Sequence, residues 1–335
     1  MSAGAGAGVG ADYALVGFGR IAELLYAPHV RALPGARVSV AEPDAERRAA
    51  AARLLPGARI AERVADLPAP EGARRTAFNL VPGSAHGAVT RRLLAAGWDV
   101  FSEKPPAASA AEWAELSDLA RSRGRVLAAA PVSPYHPEVA AARTALAEGA
   151  IGTLAEVHGR YLAPGPARRG HIDPHRAWFF GPDSCVLRDL GPYVLSVLVR
   201  LLGPPDALAW TRNGVHEPVP VRTGGTVVPA FGSAAVGVGR WGGAVGTVHL
   251  AYRRAVPGAA ADITLVGTGG TLHCTADPQG EGGPAPEKAE LALRLVERAR
   301  TDARLRAEHT AAVGHWLDLL DTAPTRPPAA PPVRK

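Results

Sequence analysis

Residues 12–131 alternate between short apolar runs and amphipathic helical segments, and this alternation restricts the fold more than any other feature of the chain. The runs YALV, ARVSV, RTAFNLV and DVFS are each followed by a segment with helical spacing of apolar residues, and RVLAAA closes the series. Strands that alternate with helices in this way are typical of right-handed βαβ units. The sequence therefore predicts an α/β domain with a doubly wound parallel sheet over residues 12–131.

The pattern changes in residues 132–321, where short strands follow one another with glycine turns between them. Consecutive strands of this kind favour an antiparallel sheet. CVLRDLGPYVLSVLVRLLG is interpreted as a loop followed by a helix that stops at Gly203, and Glu287 to Leu319 as mostly helical. We therefore predict a C-terminal α+β domain with an open, mainly antiparallel sheet.

The two ends of the chain are predicted to lie outside both domains. Residues 1–11 are mostly glycine and alanine, and residues 322–335 are rich in proline. Neither composition favours a packed core, so we expect a disordered N-terminal tail and an unfolded C-terminal tail.

Composition narrows the function classes. The chain has 335 residues, 47% of them hydrophobic and 20% charged, which is typical of a soluble globular protein. Its net charge of +6 comes from arginines that are spread along the chain without a basic helix face, so no nucleic-acid partner is expected. There is no apolar run long enough to span a membrane and no signal-peptide pattern. Two cysteines without metal spacing fit a reducing compartment, so we predict a cytoplasmic protein.

A glycine-rich turn, GFGRIA, follows the first predicted strand and precedes a helix. It fits the G-x-G-x-x-G/A pattern, in which Gly17 permits the tight turn, Gly19 lets a pyrophosphate approach the backbone and Ala22 permits close packing. Glu42 ends the second strand a little over twenty residues later. A carboxylate there binds the ribose hydroxyls and repels a 2′-phosphate, so NAD(H) is favoured, although Arg47 and Arg48 keep NADP(H) possible.

The chain resembles the Gfo/Idh/MocA oxidoreductases, which include glucose–fructose oxidoreductase and inositol dehydrogenase. The resemblance is carried by GFGRIAELLYAPHV, VAEPDAERRAAAA, NLVPGSAHGAVTRRLLAAGWDVFSEKP, EGAIGTL, RDLGPYVLSVLVRLLGP and ITLVGTGGTL. It implies a Rossmann domain, a larger open-sheet domain and an active site between them. It also implies hydride transfer at a secondary alcohol or ketone, usually on a sugar or cyclitol, and a homo-dimer or homo-tetramer. The residues expected to contact the cofactor are Gly17, Phe18, Gly19, Arg20, Ile21, Glu42, Pro82, His86, Glu103 and Lys104.

Lys104 is one of only three lysines, with Lys288 and Lys335, in a chain whose other basic residues are arginines. It follows a strand that ends at the carboxyl edge of the predicted sheet, where ligands bind. Pro105 prevents a helical conformation at Lys104, and a cis peptide is possible there. An ammonium group held in this place can stabilise an alkoxide and donate a hydrogen bond, which is the role that the resemblance implies.

The motif DLGPY places Tyr193 where many members of the family have a histidine, and Ser196 where they have a further acid. This resembles the glucose–fructose oxidoreductase and dihydrodiol dehydrogenase branch, in which a tyrosine donates the proton. Free Tyr and Lys have pKa values of about 10 and 10.4, and a nearby lysine lowers the pKa of a tyrosine. Asp189, one turn earlier, would bind a substrate hydroxyl or orient Lys104. The alternative is that Tyr193 and Asp189 only cap a helix.

The segment RRGHIDPHRAWFFGPD, before that motif, is rich in polar and aromatic side chains. We predict that it contacts the substrate; a surface loop with buried aromatic side chains is the alternative. The residues expected to bind substrate are His171, Arg176, Trp178 and Phe179. No third ligand accompanies His171 and His175 at metal spacing, so we expect no metal.

Taken together, these features predict an NAD(P)-dependent oxidoreductase that interconverts a secondary alcohol and a ketone on a sugar, cyclitol or nucleotide-sugar-like molecule. The predicted catalytic residues are Lys104, Tyr193 and Asp189. Two other functions stay open, namely reduction of a C=N bond in a biosynthetic pathway and a non-catalytic cofactor-binding sensor or assembly protein. The sensor or assembly function is favoured by Arg188, which stands where the family has an apolar residue, and by the short C-terminal region.

Overall fold

The computed structural model describes residues 10–72, 74–164, 172, 186–213, 218–228, 232–252, 259–279 and 287–321. They form two compact units. One contains the described residues of Met1–Ala130 and Pro286–Thr310, and the other those of Pro131–Ala285 and Ala311–Lys335. The predicted C-terminal tail lies outside the described residues, and of the predicted N-terminal tail only residues 10 and 11 are described.

The first unit contains a six-stranded sheet of parallel strands in the order β3-β2-β1-β4-β5-β6. The strands are β1 (Ala11–Val16), β2 (Ala36–Ala41), β3 (Arg59–Ala61), β4 (Arg74–Asn79), β5 (Asp99–Ser102) and β6 (Leu127–Ala129). Their apolar residues are buried, and Phe78 and Phe101 pack with Tyr26 at ring-centroid distances of 5.0 to 6.4 Å. The order reverses between β1 and β4, as in a Rossmann fold, and confirms the predicted doubly wound sheet.

Helices connect these strands at the predicted places. They are a π-helical turn at Ala22–Tyr26 continued by α1 (Ala27–Arg31), then α2 (Ala45–Leu54), α3 (His86–Ala95) and α4 (Ala110–Ser122). Asp44 accepts a hydrogen bond from the N–H of Arg47 at the start of α2, and Ser109 accepts one from the N–H of Glu112 at the start of α4. The Glu112 carboxylate accepts from the Ala108 N–H at 2.8 Å, so that end is capped from both sides.

Helix α7 (Glu287–Thr301) belongs to the first unit, although its sequence lies far from the rest of that unit. It packs against β5 and β6 through an apolar face that includes Leu293 and Val296. Arg300 donates to the Asp99 carboxylate at 2.7 Å. The sequence placed residues 132–321 in the second domain, whereas α7 belongs to the first unit. The apolar face of α7 packs against the parallel sheet, and a local sequence pattern does not indicate which sheet a helix covers.

The second unit contains a six-stranded sheet in the order β14-β13-β7-β12-β11-β8. Its strands are β7 (Leu154–Ala163), β8 (Ala207–Arg212), β11 (Ala234–Trp241), β12 (Ala244–Tyr252), β13 (Ala259–Gly267) and β14 (Gly270–Gln279), and a two-stranded ribbon joins β9 (Val219–Pro220) to β10 (Thr226–Val227). All neighbours in the large sheet are antiparallel except β7 and β12. The sheet is therefore mainly antiparallel, as predicted.

Helix α6 (Val186–Leu202) covers one face of this sheet, and α5 (Pro137–Ala147) packs against β14. Gly159 of β7 lies beneath α6, where a Cβ atom would approach Val194 Cγ1 to 2.5 Å. The missing side chain lets the helix approach the sheet closely. The last helix is α8 (Ala303–Asp321), whose residues up to Thr310 fall in the first unit.

The start of α6 differs from the sequence prediction. The helix is described from Val186 onward and contains Pro192, so DLGPY lies within the helix and does not cap its start. Pro192 removes the hydrogen bond to the carbonyl four residues earlier, and its ring crowds that carbonyl, so it destabilises a helix interior. Burial of Val186, Leu187 and Leu190 continues the apolar face toward the N-terminus and stabilises the helix in spite of the proline.

The other face of the second sheet carries charged and aliphatic side chains side by side. Arg160 donates to the Asp262 carboxylate at 2.9 Å across β7 and β13, and Val238 and Val245 are 60% and 61% exposed. Within the residues the structure describes, no helix has both the length and the apolar character needed to cross a lipid bilayer.

Candidate cofactor and catalytic site

The two glycines in the turn after β1, Gly17 and Gly19, are required for different reasons. Gly17 has a φ of +86°, and a Cβ atom there would lie 2.9 Å from the backbone of Leu80 and of Val81. A side chain would therefore clash with the turn after β4. At Gly19 a Cβ atom would meet no protein atom within 4 Å. The packing of the protein thus does not require glycine at position 19, which fits a backbone left open to a ligand.

Glu42 lies buried at the end of β2 and is joined directly to this turn. Its Oε2 accepts from the Phe18 N–H at 2.6 Å, and its Oε1 accepts from the Asp44 N–H at 2.9 Å. Arg48 donates to the carbonyl oxygens of Glu42 and Pro43 at 2.9 and 2.6 Å. The structure thus brings Glu42, which is predicted to bind the ribose, next to the turn that is predicted to bind the pyrophosphate. The hydrogen bond from the Phe18 N–H to Glu42 joins them, and the sequence did not indicate it.

The Glu-Lys-Pro turn begins where β5 ends. The Glu103 N–H donates to the Asn79 carbonyl at 2.9 Å, which ties the turn to the end of β4. The Lys104–Pro105 peptide bond is cis, and the Lys104 side chain is partly exposed. Because β1, β4 and β5 are parallel neighbours or next neighbours, their ends place this turn on the same edge of the sheet as the glycine turn.

The Glu103 carboxylate is buried and surrounded by donors. Its Oε1 accepts from the Tyr26 hydroxyl at 2.9 Å and lies 3.2 Å from Nζ of Lys288, while its Oε2 accepts from the Lys104 N–H at 3.3 Å. Burial alone would raise the pKa of Glu103, but the Lys288 ammonium, the Tyr26 hydroxyl and Lys104 together hold that pKa below its usual value. Glu103 is therefore a buried anion. Tyr26 and Lys288 were not predicted as site residues, and the scarcity of lysine was the only signal for Lys288.

His86 opens α3 and holds the other side of the Glu-Lys-Pro turn. Its Nδ1 lies 2.7 Å from the Pro105 carbonyl oxygen, so this nitrogen is the donor. Burial lowers the pKa of His86, which keeps the ring neutral near pH 7. Asn79 donates to the His86 carbonyl at 3.0 Å, and Pro82 is exposed in the turn between β4 and α3. Thus His86 anchors the backbone beside Lys104.

Tyr193 and Asp189 belong to the second unit, on α6. The Tyr193 ring is buried and stacks on the Tyr161 ring of β7, with centroids 4.9 Å apart and planes at 23°. Asp189 accepts from the Tyr252 hydroxyl of β12 at 2.8 Å. The four-residue spacing puts both side chains on the sheet-facing side of the helix. Tyr161 and Tyr252 were not recognised from the sequence, because contacts between distant strands leave no local pattern.

The predicted substrate-binding residues His171, Arg176, Trp178 and Phe179 lie outside the described residues. Their role stays a prediction. Within the described ranges, no group of three or more His, Cys, Asp or Glu side chains is arranged to hold a metal ion.

Comparison with protein families accounts for both units. Residues 11–130 match an oxidoreductase family with an NAD-binding Rossmann fold, GFO/IDH/MocA, and residues 139–273 match the C-terminal domain of the same family. The chain belongs to the GFO/IDH/MocA oxidoreductase family. Both matches together cover more than half of the chain and confirm the resemblance found in the sequence.

Curated relatives match about a third of the chain. One is the dTDP-3,4-didehydro-2,6-dideoxy-alpha-D-glucose 3-reductase of Streptomyces violaceoruber, 37% identical over 123 residues, which are 37% of this chain and 34% of that protein. Another is the trans-1,2-dihydrobenzene-1,2-diol dehydrogenase of Bos taurus, 34% identical over 118 residues, or 35% of this chain and 33% of that protein. The matched region therefore spans about a third of the length of each relative.

Solved structures share the whole fold. GenD2 from gentamicin A biosynthesis, in complex with NAD, superposes with a TM-score of 0.73 at 20% identity over 96% of this chain and 95% of its own. The WlbA dehydrogenase from Bordetella pertussis, in complex with NADH and UDP-GlcNAcA, gives 0.73 at 18% identity over 94% and 95% of the two chains. The 3-ketoreductase KijD10 from Actinomadura kijaniata, in complex with TDP-benzene and NADP, gives 0.66 at 17% identity over 94% and 98%. At these identities the likeness establishes the fold.

Proposed function

We propose that the protein is an NAD(H)-preferring oxidoreductase that interconverts a secondary alcohol and a ketone on a sugar, cyclitol or nucleotide-linked sugar. The observation that carries this proposal is the arrangement at the carboxyl edge of the first sheet. The glycine turn, Glu42 and the Glu-Lys-Pro turn lie there together, each held by hydrogen bonds from neighbouring strands. Ligands of doubly wound sheets bind at this edge.

The cofactor would lie with its pyrophosphate against Gly19, at the N-terminus of the helix that follows the turn. The Glu42 carboxylate is fixed beside that turn, and each of its oxygens keeps capacity to accept a second hydrogen bond, from the ribose hydroxyls. A 2′-phosphate would be repelled by the same charge. Relatives in complex with NAD and with NADP both occur, so the preference for NAD(H) rests on Glu42.

Two valine substitutions test the cofactor site. Gly17→Val should destabilise the fold by more than about 1 kcal/mol, because φ is positive and the side chain would meet Leu80 and Val81. At Gly19 a Cβ atom meets no protein atom within 4 Å, so Gly19→Val should leave the melting temperature unchanged while abolishing NADH binding by calorimetry. In the parent protein, NADH should bind more tightly than NADPH, and Glu42→Ala should reduce the difference. Equal affinities of the parent for the two cofactors would refute the assignment of Glu42.

Lys104 and Tyr193 would share the handling of charge and protons. A bound nicotinamide would supply or accept the hydride. In reduction, the Lys104 ammonium donates a hydrogen bond to the carbonyl oxygen and stabilises the negative charge that develops on it, and the Tyr193 hydroxyl gives its proton to that oxygen. In oxidation the proton moves back to Tyr193. Asp189, one helical turn before Tyr193, would bind a substrate hydroxyl or orient Lys104. On this basis we propose that the protein belongs to the glucose–fructose oxidoreductase-like branch, which has tyrosine in its motif.

The substrate class is supported by the relatives. The Streptomyces protein is named a 3-reductase of a dTDP-linked sugar, and the WlbA and KijD10 structures hold UDP-GlcNAcA and TDP-benzene. We therefore place nucleotide-linked sugars first, ahead of free sugars and cyclitols.

A substrate panel tests the reaction. NADH consumption is followed with nucleotide-linked keto sugars, free keto sugars and inosose, and NAD reduction with the corresponding alcohols. Activity in one of these sets is expected. Silence across all of them together with turnover of a cyclic imine would replace the proposal by C=N reduction. Tight NADH binding with no turnover of either kind would favour a non-catalytic sensor or assembly protein.

We also propose that the protein is a cytoplasmic homo-dimer or homo-tetramer that associates through the open face of the second sheet. The exposed Val238 and Val245 on neighbouring strands support this association. Light scattering of the purified protein should give a mass of two or four chains, and Val238→Arg with Val245→Arg should reduce it. A monomeric parent would refute this association.

A further inference from the structure

Two of the three lysines in the chain meet at one carboxylate. Lys104 donates its backbone N–H to Glu103 Oε2 at 3.3 Å, and Lys288 Nζ lies 3.2 Å from Glu103 Oε1. Lys288 is only 3% exposed, although it comes from α7, which is distant in sequence from the Glu-Lys-Pro turn. The catalytic assignment above does not use Lys288.

Stability alone does not explain this contact. Ordering and burying a lysine costs side-chain entropy and hydration, and a buried ion pair is often no more stabilising than apolar residues of similar volume. The surrounding surface of α7 is apolar, with Ala289, Ala292 and Leu293 buried beside Lys288. An apolar side chain would therefore suit this position if packing were its only role.

The contacts of the Glu103 carboxylate indicate which parts of the protein the Glu103–Lys288 pair connects. The carboxylate joins Tyr26, in the π-helical turn after the glycine turn, to the backbone of Lys104, and Lys288 holds the carboxylate from the third side. The Glu103 carboxylate therefore connects three parts of the protein, namely the helical turn after the glycine turn, the Glu-Lys-Pro turn and α7. If the carboxylate turned away, the Lys104 N–H and the Tyr26 hydroxyl would both lose this shared acceptor.

We propose that Lys288 is a positioning residue that fixes the backbone of Lys104 relative to the dinucleotide turn through Glu103. The inference rests on the proposed function, since it is the Lys104 ammonium that meets the substrate. Lys288 itself touches neither cofactor nor substrate. Its effect on the reaction is exerted through Glu103.

The scarcity of lysine provides a direct measurement that needs no substrate. Protein labelled with ¹³C at lysine Cε should give three signals, assigned by Lys104→Met, Lys288→Met and Lys335→Met. The relaxation of the Lys104 signal reports how well its side chain is ordered, with NADH added as the ligand. We expect an ordered Lys104 in the parent and in the Lys335→Met control.

Three variants separate positioning from neutralisation of a buried charge. Lys288→Met should make the Lys104 signal mobile, and Lys288→Arg, which keeps the ion pair, should restore most of the order. Glu103→Gln with Lys288→Met leaves no uncompensated charge, yet it should also leave Lys104 mobile because the connection to α7 is lost. An ordered Lys104 in the double variant would overturn the proposal, since neutralisation of Glu103 would then be the whole role of Lys288. An ordered Lys104 in Lys288→Met would overturn it as well.

Turnover distinguishes this inference from the proposed function. With the substrate from the panel, Lys288→Met should lower the single-turnover rate about 10- to 100-fold, the cost of a small misplacement of a catalytic group, while changing NADH affinity less than the rate. Lys288→Arg should recover most of the rate. If Lys104→Met keeps the parent rate, the proposed function fails, and the relaxation data still decide the positioning. If Lys104→Met is inactive and folded Lys288→Met keeps the parent rate, the positioning fails and the proposed function stands.

Discussion

Lys104 and Tyr193, the two proposed proton-handling residues, have different surroundings. Lys104 lies next to a buried anion that is held by Lys288 and Tyr26, whereas Tyr193, on α6, stacks on the Tyr161 ring of β7. The first environment consists of charges and directed hydrogen bonds. The second contains a stacked pair of aromatic rings.

The two environments constrain Lys104 and Tyr193 in different ways. A charged network fixes direction and distance, but removal of one member leaves a buried partner without compensation. A stack of aromatic rings fixes the plane of Tyr193 and tolerates small changes, because dispersion contacts are numerous and individually weak. Substitutions around Lys104 should therefore have large effects that depend on pH, and substitutions around Tyr193 should have smaller effects that do not.

The largest expected effect is on turnover, and it tests whether both residues act in the same step. Tyr193→Phe should reduce single-turnover hydride transfer by about 10²- to 10⁴-fold with unchanged cofactor affinity, which is the usual contribution of positioned acid–base catalysis. Lys104→Arg should be nearly as damaging as Lys104→Met, because the guanidinium presents its donors differently. The double variant Lys104→Met with Tyr193→Phe should lose much less than the product of the single losses. If Tyr193→Phe runs at the parent rate across pH, Tyr193 is only structural.

The next effect concerns stability on the charged side. Glu103→Gln removes the carboxylate that faces the buried Lys288 ammonium, and it should lower the free energy of unfolding by about 3–5 kcal/mol at pH 7. The pKa of Glu103 is lowered in the folded state, so its contribution is present above the unfolded pKa and is lost as the pH falls through the folded pKa. Urea unfolding at pH 7 and at pH 3 checks this. A difference between parent and variant that is as large at pH 3 as at pH 7 would contradict it.

A smaller effect should appear in the range between pH 7 and pH 5. Burial lowers the pKa of His86, so the unfolded chain binds a proton below its pKa of about 6.5 while the folded chain does not. The free energy of unfolding should therefore decrease as the pH falls below about 6.5, by at most about 1.4 kcal/mol per pH unit for this group. His86→Gln should remove that part of the pH dependence. A slope in this range that persists unchanged in His86→Gln would contradict the assignment.

The smallest effect belongs to the aromatic side. Tyr161→Phe keeps the ring against Tyr193, whereas Tyr161→Leu removes a ring pair worth about 0.5–1.5 kcal/mol beyond the buried area. We expect Tyr161→Phe to have a higher melting temperature than Tyr161→Leu. The difference between the two should not depend on pH between 5 and 8. A strongly pH-dependent difference would show that Tyr161 takes part in a charged network too.

The sequence predicted the parts of the molecule that depend on local patterns. Strand and helix alternation, the glycine turn and the position of Lys104 after a buried strand are all local, and the structure has them where they were expected. The pairing of Lys288 with Glu103 was not predicted, because residues far apart in sequence meet only once the tertiary fold is formed. The early start of α6 and the membership of α7 in the first unit were missed for the same reason, since the faces that these helices bury decide both.

The pairing of Glu103 with Lys288 also has a consequence for how the chain folds during synthesis. The strands of the parallel sheet are complete once Ala129 has left the ribosome, and N-terminal domains generally begin to fold at that stage. Glu103 must then wait for α7, which follows much later in the sequence, before its carboxylate faces the Lys288 ammonium. A charge that lacks its counter-ion resists burial, so we expect the turn that bears Lys104 to stay hydrated until α7 has been synthesised. A nascent chain would therefore form its parallel sheet well before Lys104 is held in a fixed place.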